Sequence, residues 1–267
     1  MSENEFQNKT AIVTGGAMGI GGAVAKMLSQ RGAKVLIVDR NENEGKKAAE
    51  KLNLDSGSAN FFKADVSNIK DCEAAVKKAF ELYGKIDILS NNAGIQRYGT
   101  VETTSLEEWN EVMNVNLNSM FYMMKYAVPH LKKTKGNIVN MTSVQAFATQ
   151  RNVAAYTTSK NAIIGLTKCT AIDYARDGVR VNCVAPGTTD TPMLRYAAEM
   201  DPDPESVYET CRNMHPLGRI ATPEEVAEVV CFLASKRASF VTGSCYLVEG
   251  GLLLPIGGEP KVEKDLK

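Results

Sequence analysis

The sequence predicts an α/β fold in which a doubly wound parallel sheet of about seven strands carries helices on both faces. Three observations predict it. Short β-branched runs alternate with longer helical patterns along nearly the whole chain. The strand runs are almost continuously apolar, as in KVLIVD at 34–39, which suits strands buried on both faces. Glycine or Pro-Gly punctuates the elements, as at Gly15, Gly32, Gly84 and Pro186-Gly187.

Taken in order, residues 9–14 read as a strand ending in a glycine turn. Residues 19–31 carry Ile20, Val24, Met27 and Leu28 at helical spacing, and Gly32 stops them. A second strand (34–39), a polar-faced helix (41–52), a third strand (60–65) and a helix closed by Gly84 (68–83) follow. Residues 86–90 are the fourth strand. The pattern of 106–131 predicts one long helix that Pro129 ends or bends. Next come a strand (136–142), a second long helix (154–176) and a strand (179–184). Pro223 after Thr222 opens a helix that runs to 235, and 245–248 is the last strand.

Two segments break the rhythm. Residues 188–216 contain Pro192, Pro202, Pro204 and Pro216 and read as a mobile excursion, and 257–267 as a loosely held polar tail. No repeat or linker divides the chain, so 1–267 is expected to be one domain with a substrate lid at about 188–216.

Composition narrows the function. The chain has 267 residues, 44% of them hydrophobic and 23% charged, with a formal net charge of +0. That is enough material for a large core, and the missing basic surplus argues against a nucleic-acid partner. No apolar run is long enough for a membrane span, and the acidic, polar start is unlike a secretory signal, so the expected compartment is the cytoplasm. The six cysteines form no C-x-x-C pair, and the two histidines, His130 and His215, lie far apart. No metal site is expected, only reduced, mostly buried thiols.

The chemistry starts at residues 14–21, Thr-Gly-Gly-Ala-Met-Gly-Ile-Gly, where the first strand turns into the first helix. Gly15 permits the tight turn, Gly19 lets backbone approach a pyrophosphate, and Gly21 allows close helix–strand packing. Met18 and Ile20 complete this dinucleotide cradle. Asp39 ends the second strand 18 residues after Gly21, where a carboxylate accepts hydrogen bonds from ribose hydroxyls and repels a 2′-phosphate. NAD is therefore the expected cofactor. The neighbouring cation Arg40 keeps NADP as the alternative.

A second constellation lies downstream. Tyr156 and Lys160 are four apart on a helix and share a face, and an ammonium beside a phenol lowers its pKa toward that of a usable base. Ser143 follows the strand NIVNMT, 13 residues before Tyr156. Asn116 lies in the long helix, and Asn91-Asn92-Ala93-Gly94 follows the fourth strand. All fall at the C-terminal ends of strands or on adjoining helices, where open parallel sheets bind ligands.

Jointly TGGAMGIG, NNAG, Asn116, Ser143, YTTSK and Pro186-Gly187 resemble the short-chain dehydrogenase/reductase family in its single-domain form, over residues 9–251. The resemblance implies a Rossmann-like sheet and a homotetramer. It implies Tyr156 as catalytic acid/base and Ser143 as holder of the substrate oxygen. Lys160 would bind the nicotinamide ribose and lower the Tyr156 pKa, and Asn116 would position a water in a proton relay. Asp65 and Val66 would flank the adenine, and Asn92, Ala93 and Gly94 its ribose. Thr189 and Thr191, after Pro186-Gly187, would contact the nicotinamide carboxamide or phosphates. Thr142 for the usual Ser and Glu249 for the usual Asp are small departures.

The substrate is to be sought on the loops over the site. Gln96, Arg97, Gln145, Gln150, Arg151 and, from the excursion, His215 suggest a hydroxyl-rich substrate, a sugar or polyol, some of them acidic. In a competing reading Arg97 and Arg151 are solvated or paired with acids of the excursion such as Glu199, Asp201 and Asp203. Met193, Leu194, Tyr196 and Met200 favour a hydroxysteroid or cyclic alcohol instead. A catalytically silent NAD-binding regulator would keep the glycine turn without needing the reacting residues.

Overall fold

In the computed structural model, which describes residues 4–55 and 57–255, seven strands form one parallel sheet. The strands are β1 (Thr10–Thr14), β2 (Lys34–Asp39), β3 (Ser58–Lys63), β4 (Ile88–Asn91), β5 (Asn137–Met141), β6 (Arg180–Pro186) and β7 (Cys245–Val248), in the order β3-β2-β1-β4-β5-β6-β7. Ile12 of β1 pairs with Leu36 of β2 on one side and Leu89 of β4 on the other. The winding direction reverses between β1 and β4, and a crevice opens there beyond the carboxyl ends of the strands.

Strand alternation divides the core in two. Val13, Val35, Ile37 and Val139 face α1 (Gly19–Gln30), through Val24 and Leu28, and α9 (Pro223–Ala234), through Val226 and Val230. Ile12, Leu36, Leu89 and Ile138 face the other way. They meet Val76 of α3 (Ile69–Tyr83) and Met120 and Met123 of α5 (Ser119–Thr134). Because both faces are covered, the strands need apolar residues at every position, which is why KVLIVD shows no alternation. Caps fix the helix ends: Asn68 opens α3 and Gly84, at φ 74°, closes it, while Thr222 and Glu225 form a capping box on α9. The remaining helix between strands β2 and β3 is α2 (Glu42–Leu54).

Two expectations are corrected. The single long helix over 106–131 is instead α4 (Leu106–Met113), a π-helical turn at Asn114–Asn118, and α5, which runs through Pro129 to Thr134. Burial of Met123, Met124, Ala127 and Leu131 on both sides of the proline keeps α5 in place despite the missing N–H. The excursion is not irregular. It holds α7 (Pro192–Glu199) and α8 (Pro204–Asn213), each opened by a proline in the first turn and capped by Thr191 and Asp203 respectively. Those prolines start helices rather than break them, because a first-turn N–H has no helical partner to lose. The second long helix, α6, spans Ala154–Tyr174.

The six cysteines are all free, four of them buried. Among the described residues no helix is long and apolar enough to cross a membrane, and no cluster of three or more His, Cys, Asp or Glu could hold a metal ion. The 257–267 tail lies outside the described residues.

Candidate active site

A cleft of about 980 Å³ occupies the crevice at the carboxyl end of the sheet. Its floor is set by backbone. The Thr14 hydroxyl accepts from the amides of Asn92 (3.1 Å) and Ala93 (3.4 Å), tying the ends of β1 and β4 together. Gly15 turns at φ +60°, and a Cβ there would stand 2.9 Å from the Ala93 backbone. Gly19 adopts φ +56°, and a Cβ on Gly21 would meet the Gly15 carbonyl oxygen at 2.2 Å. Helix α1 has neither a side-chain cap nor an acidic residue in its first turn, so its amide end is open to an anion.

Met18, Ile20, Asp39, Arg40, Asp65 and Val66 line the same end of the cleft. Asp39 Oδ2 accepts from the Ala17 amide (3.2 Å) and Oδ1 from that of Asn41 (3.0 Å), which braces the carboxylate against the glycine turn. The buried Oδ1 of Asn92 has no hydrogen-bond partner among the described residues, so it calls for a donor. Glycines where a Cβ would collide, an uncapped helix start, an ordered carboxylate and an orphaned acceptor together fit a dinucleotide.

Ser143, Tyr156 and Lys160 lie deeper, 8%, 7% and 3% exposed. Ser143 leads out of β5, while the other two sit on the first turns of α6, one turn apart. Lys160 Nζ donates to the Met141 carbonyl (3.1 Å) and stands 5.4 Å from the centroid of the Tyr156 ring. The Thr142 hydroxyl donates to the Lys160 carbonyl (2.6 Å), locking α6 against β5. Burial pushes the Tyr156 hydroxyl up to about 12, against a smaller lowering by its hydrogen bond with Ser143. Burial brings the Lys160 ammonium down to about 8. The expected lowering of the Tyr156 pKa by Lys160 is therefore not what this arrangement gives. The ammonium lies by the ring and bonds to backbone, and desolvation dominates both groups.

Asn116 is fully buried in the π-helical turn and does not line the cleft. Its Oδ1 accepts from the Ile95 amide (2.8 Å), and its Nδ2 donates to the Ile95 carbonyl and to Ser159 Oγ (both 3.0 Å). It thus binds the 94–95 backbone to α6. A Cβ on Gly94 would lie 3.4 Å from Asn116 Oδ1 and 3.5 Å from Lys160 Nζ. Ala93, Gly94, Pro186, Gly187, Thr189 and Thr191 also line the cleft.

Of the residues expected to meet substrate, Gln96, Ser143, Gln145, Gln150 and Arg151 line the cleft. Arg97 does not. Its guanidinium grips Glu111 of α4 through two 2.9 Å bonds, with an acid of its own layer rather than of the excursion. His215 does not either. It is 3% exposed, and both ring nitrogens are taken by backbone. Met193, Leu194, Met200 and Met214 also line the cleft, whereas Tyr196 does not. Tyr98, Cys211 and Leu252 line it without having been expected. Tyr98 gets there because Gly99 bridges to Val153, a pairing between distant loops that no local pattern announces.

Comparison with known proteins agrees with this geometry. Residues 15–253 match a family model described as enoyl-(acyl carrier protein) reductase. The chain is 40% identical over 249 residues to cyclohexanol dehydrogenase of an Acinetobacter species, covering 92% of this chain and 96% of that one. It is 37% identical to meso-2,3-butanediol dehydrogenase of Serratia marcescens, covering 96% and 99%. Among solved structures it resembles the ligand-free aldohexose dehydrogenase of Thermoplasma acidophilum, with a TM-score of 0.89, 39% identity and coverage of 97% and 99%.

Proposed function

This chain belongs to the short-chain dehydrogenase/reductase family, whose oxidoreductases use a nicotinamide cofactor, and on that basis we propose that it is an NAD-dependent enzyme oxidising a secondary alcohol or hemiacetal hydroxyl to a carbonyl. The observation that carries the reading is the buried Ser143–Tyr156–Lys160 group inside a cleft whose other end is a dinucleotide cradle. A bound nicotinamide supplies the hydride acceptor. The chain's own residues manage the proton. Tyr156 takes it from the substrate hydroxyl, and Ser143 donates a hydrogen bond to the oxygen as negative charge develops there. Lys160, beside the phenol ring, would hydrogen-bond the nicotinamide ribose, and Asn116 positions α6 against the 94–95 turn.

The choice of NAD rests on Asp39. Its carboxylate would repel a 2′-phosphate, and the glycine turn brings no cation of its own. Asp39→Asn keeps an acceptor for the Ala17 amide and removes the charge. The expected result is a shift of about 10- to 100-fold in the ratio of kcat/KM for NAD over NADP, toward NADP. A wild-type preference for NADP would overturn the assignment.

For the substrate we propose a sugar or other polyol. Gln96, Gln145, Gln150 and Arg151 all line the cleft; Gln145 donates to Gln150 at 3.3 Å, and the exposed Arg151 makes no ion pair among the described residues. Those groups that a bound ligand would cover lose their water, at ~1–3 kcal/mol for each one left without a partner, so hydroxyls are a better match there than an apolar ring. The aldohexose and butanediol dehydrogenases among its relatives point the same way. The cleft-lining Met193, Leu194, Met200 and Met214 and the cyclohexanol relative support a second reading, a cyclic alcohol. Aldoses, uronic acids, polyols, steroids and cyclic alcohols at equal concentration, followed by NADH absorbance, separate the two. Preference for cyclic alcohols or steroids over every sugar would retire the first, and turnover of none would favour a silent NAD-binding regulator.

We also propose that 188–216 acts as a substrate lid and that the protein is a homotetramer. Exposed apolar side chains support the latter, Phe121 on α5 and Ile172 on α6. Six free thiols suit a reducing cytoplasm.

A further inference from the structure

His215 sits outside the cleft at the junction of three segments that form it. Its Nδ1 lies 2.6 Å from the carbonyl of Cys211, on α8, and its Nε2 accepts from the Thr188 amide at 3.1 Å. A carbonyl accepts only, and an amide donates only, so the ring is neutral with its proton on Nδ1. A Cβ on Gly187 would stand 2.8 Å from Nε2, and one on Gly250 would stand 3.3 Å from the ring. The imidazole thus fills the space between the Gly187–Thr188 turn, α8 and the Gly250-Gly251 turn.

These segments carry different parts of the cleft. Gly187, Thr189 and Thr191, which the proposed function gives to the cofactor, Cys211 and Met214 on and after α8, and Leu252 after the glycine turn all line it. From this, and resting on the dehydrogenase reading above, the geometry points to His215 as a positioning residue. One ring sets the cofactor loop through Thr188 and the end of α8 through Cys211, so two parts of the cleft are aligned to a single side chain. No proton leaves or enters the ring in this role.

The two bonds can be removed one at a time. In His215→Gln the amide oxygen reaches the place of Nε2 and accepts from Thr188, but the Cys211 carbonyl loses its donor. In His215→Asn the amide nitrogen reaches the place of Nδ1 and serves Cys211, but the Thr188 amide loses its acceptor. His215→Phe fills the space and serves neither. Hydrogen exchange of a peptide spanning 187–191, read by mass spectrometry without any ligand, follows the first bond. It is expected to quicken by about tenfold in the Asn and Phe variants and not in Gln, the size set by one lost backbone hydrogen bond. The dissociation constant of NADH, read by its fluorescence, is expected to rise about tenfold in the same two variants, while substrate KM rises in Gln and Phe.

Equal exchange and equal affinities in all three variants would reduce His215 to packing and overturn the proposal. Failure of the wild-type protein to bind either reduced dinucleotide would instead overturn the dehydrogenase reading. The ligand-free exchange pattern would still decide whether His215 sets the loop.

Discussion

Replacing Tyr156 with Phe is expected to lower kcat by about 10³-fold or more while changing the dissociation constant of NADH by less than about threefold. The substitution removes one oxygen and keeps the ring, which is 7% exposed and packed against the Lys160 ammonium. Packing is therefore conserved, and the loss falls on the proton. Without that oxygen the substrate hydroxyl has Ser143 as its neighbour, and a serine hydroxyl is too weak a base to take its place. Burial holds the phenol at about 12 in the free protein, so the ionised form that accepts a proton becomes more populated as pH rises. Alcohol oxidation by the wild-type protein should accordingly rise with pH through the neutral and alkaline range, while residual turnover by the Phe variant loses that slope. The comparison needs initial rates at saturating dinucleotide from about pH 6 to 10. Activity within tenfold of wild type would assign the acid/base to another group.

How much of this was legible in the sequence depends on how local each feature is. The glycine turn and the Tyr156–Lys160 pair are visible because their chemistry is carried by residues a few positions apart, Asp39 because it closes the strand that follows the glycine-turn helix, and the strands by apolar runs that need no partner to be recognised. Gly84 at the end of α3 and Thr222-Pro223 at the start of α9 are local signals too, and both elements end within a residue or two of expectation. The π-helical turn at Asn114–Asn118 was not visible. One extra residue in a helical turn leaves the apolar pattern almost intact, and the reason for it lies in what Asn116 bonds to across the fold. Arg97 and His215 show the complementary failure. Their types suggested ligands, but a cation beside Glu111 and an imidazole between two backbone groups are satisfied by the protein itself. Nothing in the sequence places those partners, since they lie 14 and 27 residues away for Arg97–Glu111 and His215–Thr188. The same tertiary origin hid Tyr98.

Lys160→Met is expected to make the protein inactive and more stable at once. The ammonium is 3% exposed, and its one described hydrogen bond goes to the Met141 carbonyl. Burial takes its pKa from 10.5 to about 8. At pH 7 the group is charged in both folded and unfolded chains, so that displacement measures a burden on the folded state of roughly 3 kcal/mol. Methionine has a similar length and no charge to desolvate. It leaves the Met141 carbonyl without a donor, which offsets about 1 kcal/mol. The expected net result at pH 7 is a Tm higher by about 5 °C for a chain of this size. The sign follows the protons. Below pH 8 both states hold the proton and the burden is complete. Between pH 8 and 10.5 the folded chain gives up its proton first, and wild-type stability gains on the variant as pH rises. The Tm difference should therefore be flat from pH 6 to 8 and narrow above it, read by calorimetry on both proteins. Turnover should fall by at least about 10²-fold, because the amine that would hydrogen-bond the nicotinamide ribose is gone, and the dissociation constant of NADH should rise with it. A variant with Tm at or below wild type at pH 7, or a gap that widens above pH 8, would show that the ammonium is compensated where it lies. A stabilised, inactive variant would mean that the fold carries a buried amine at a cost in stability for what that amine does in the cofactor site.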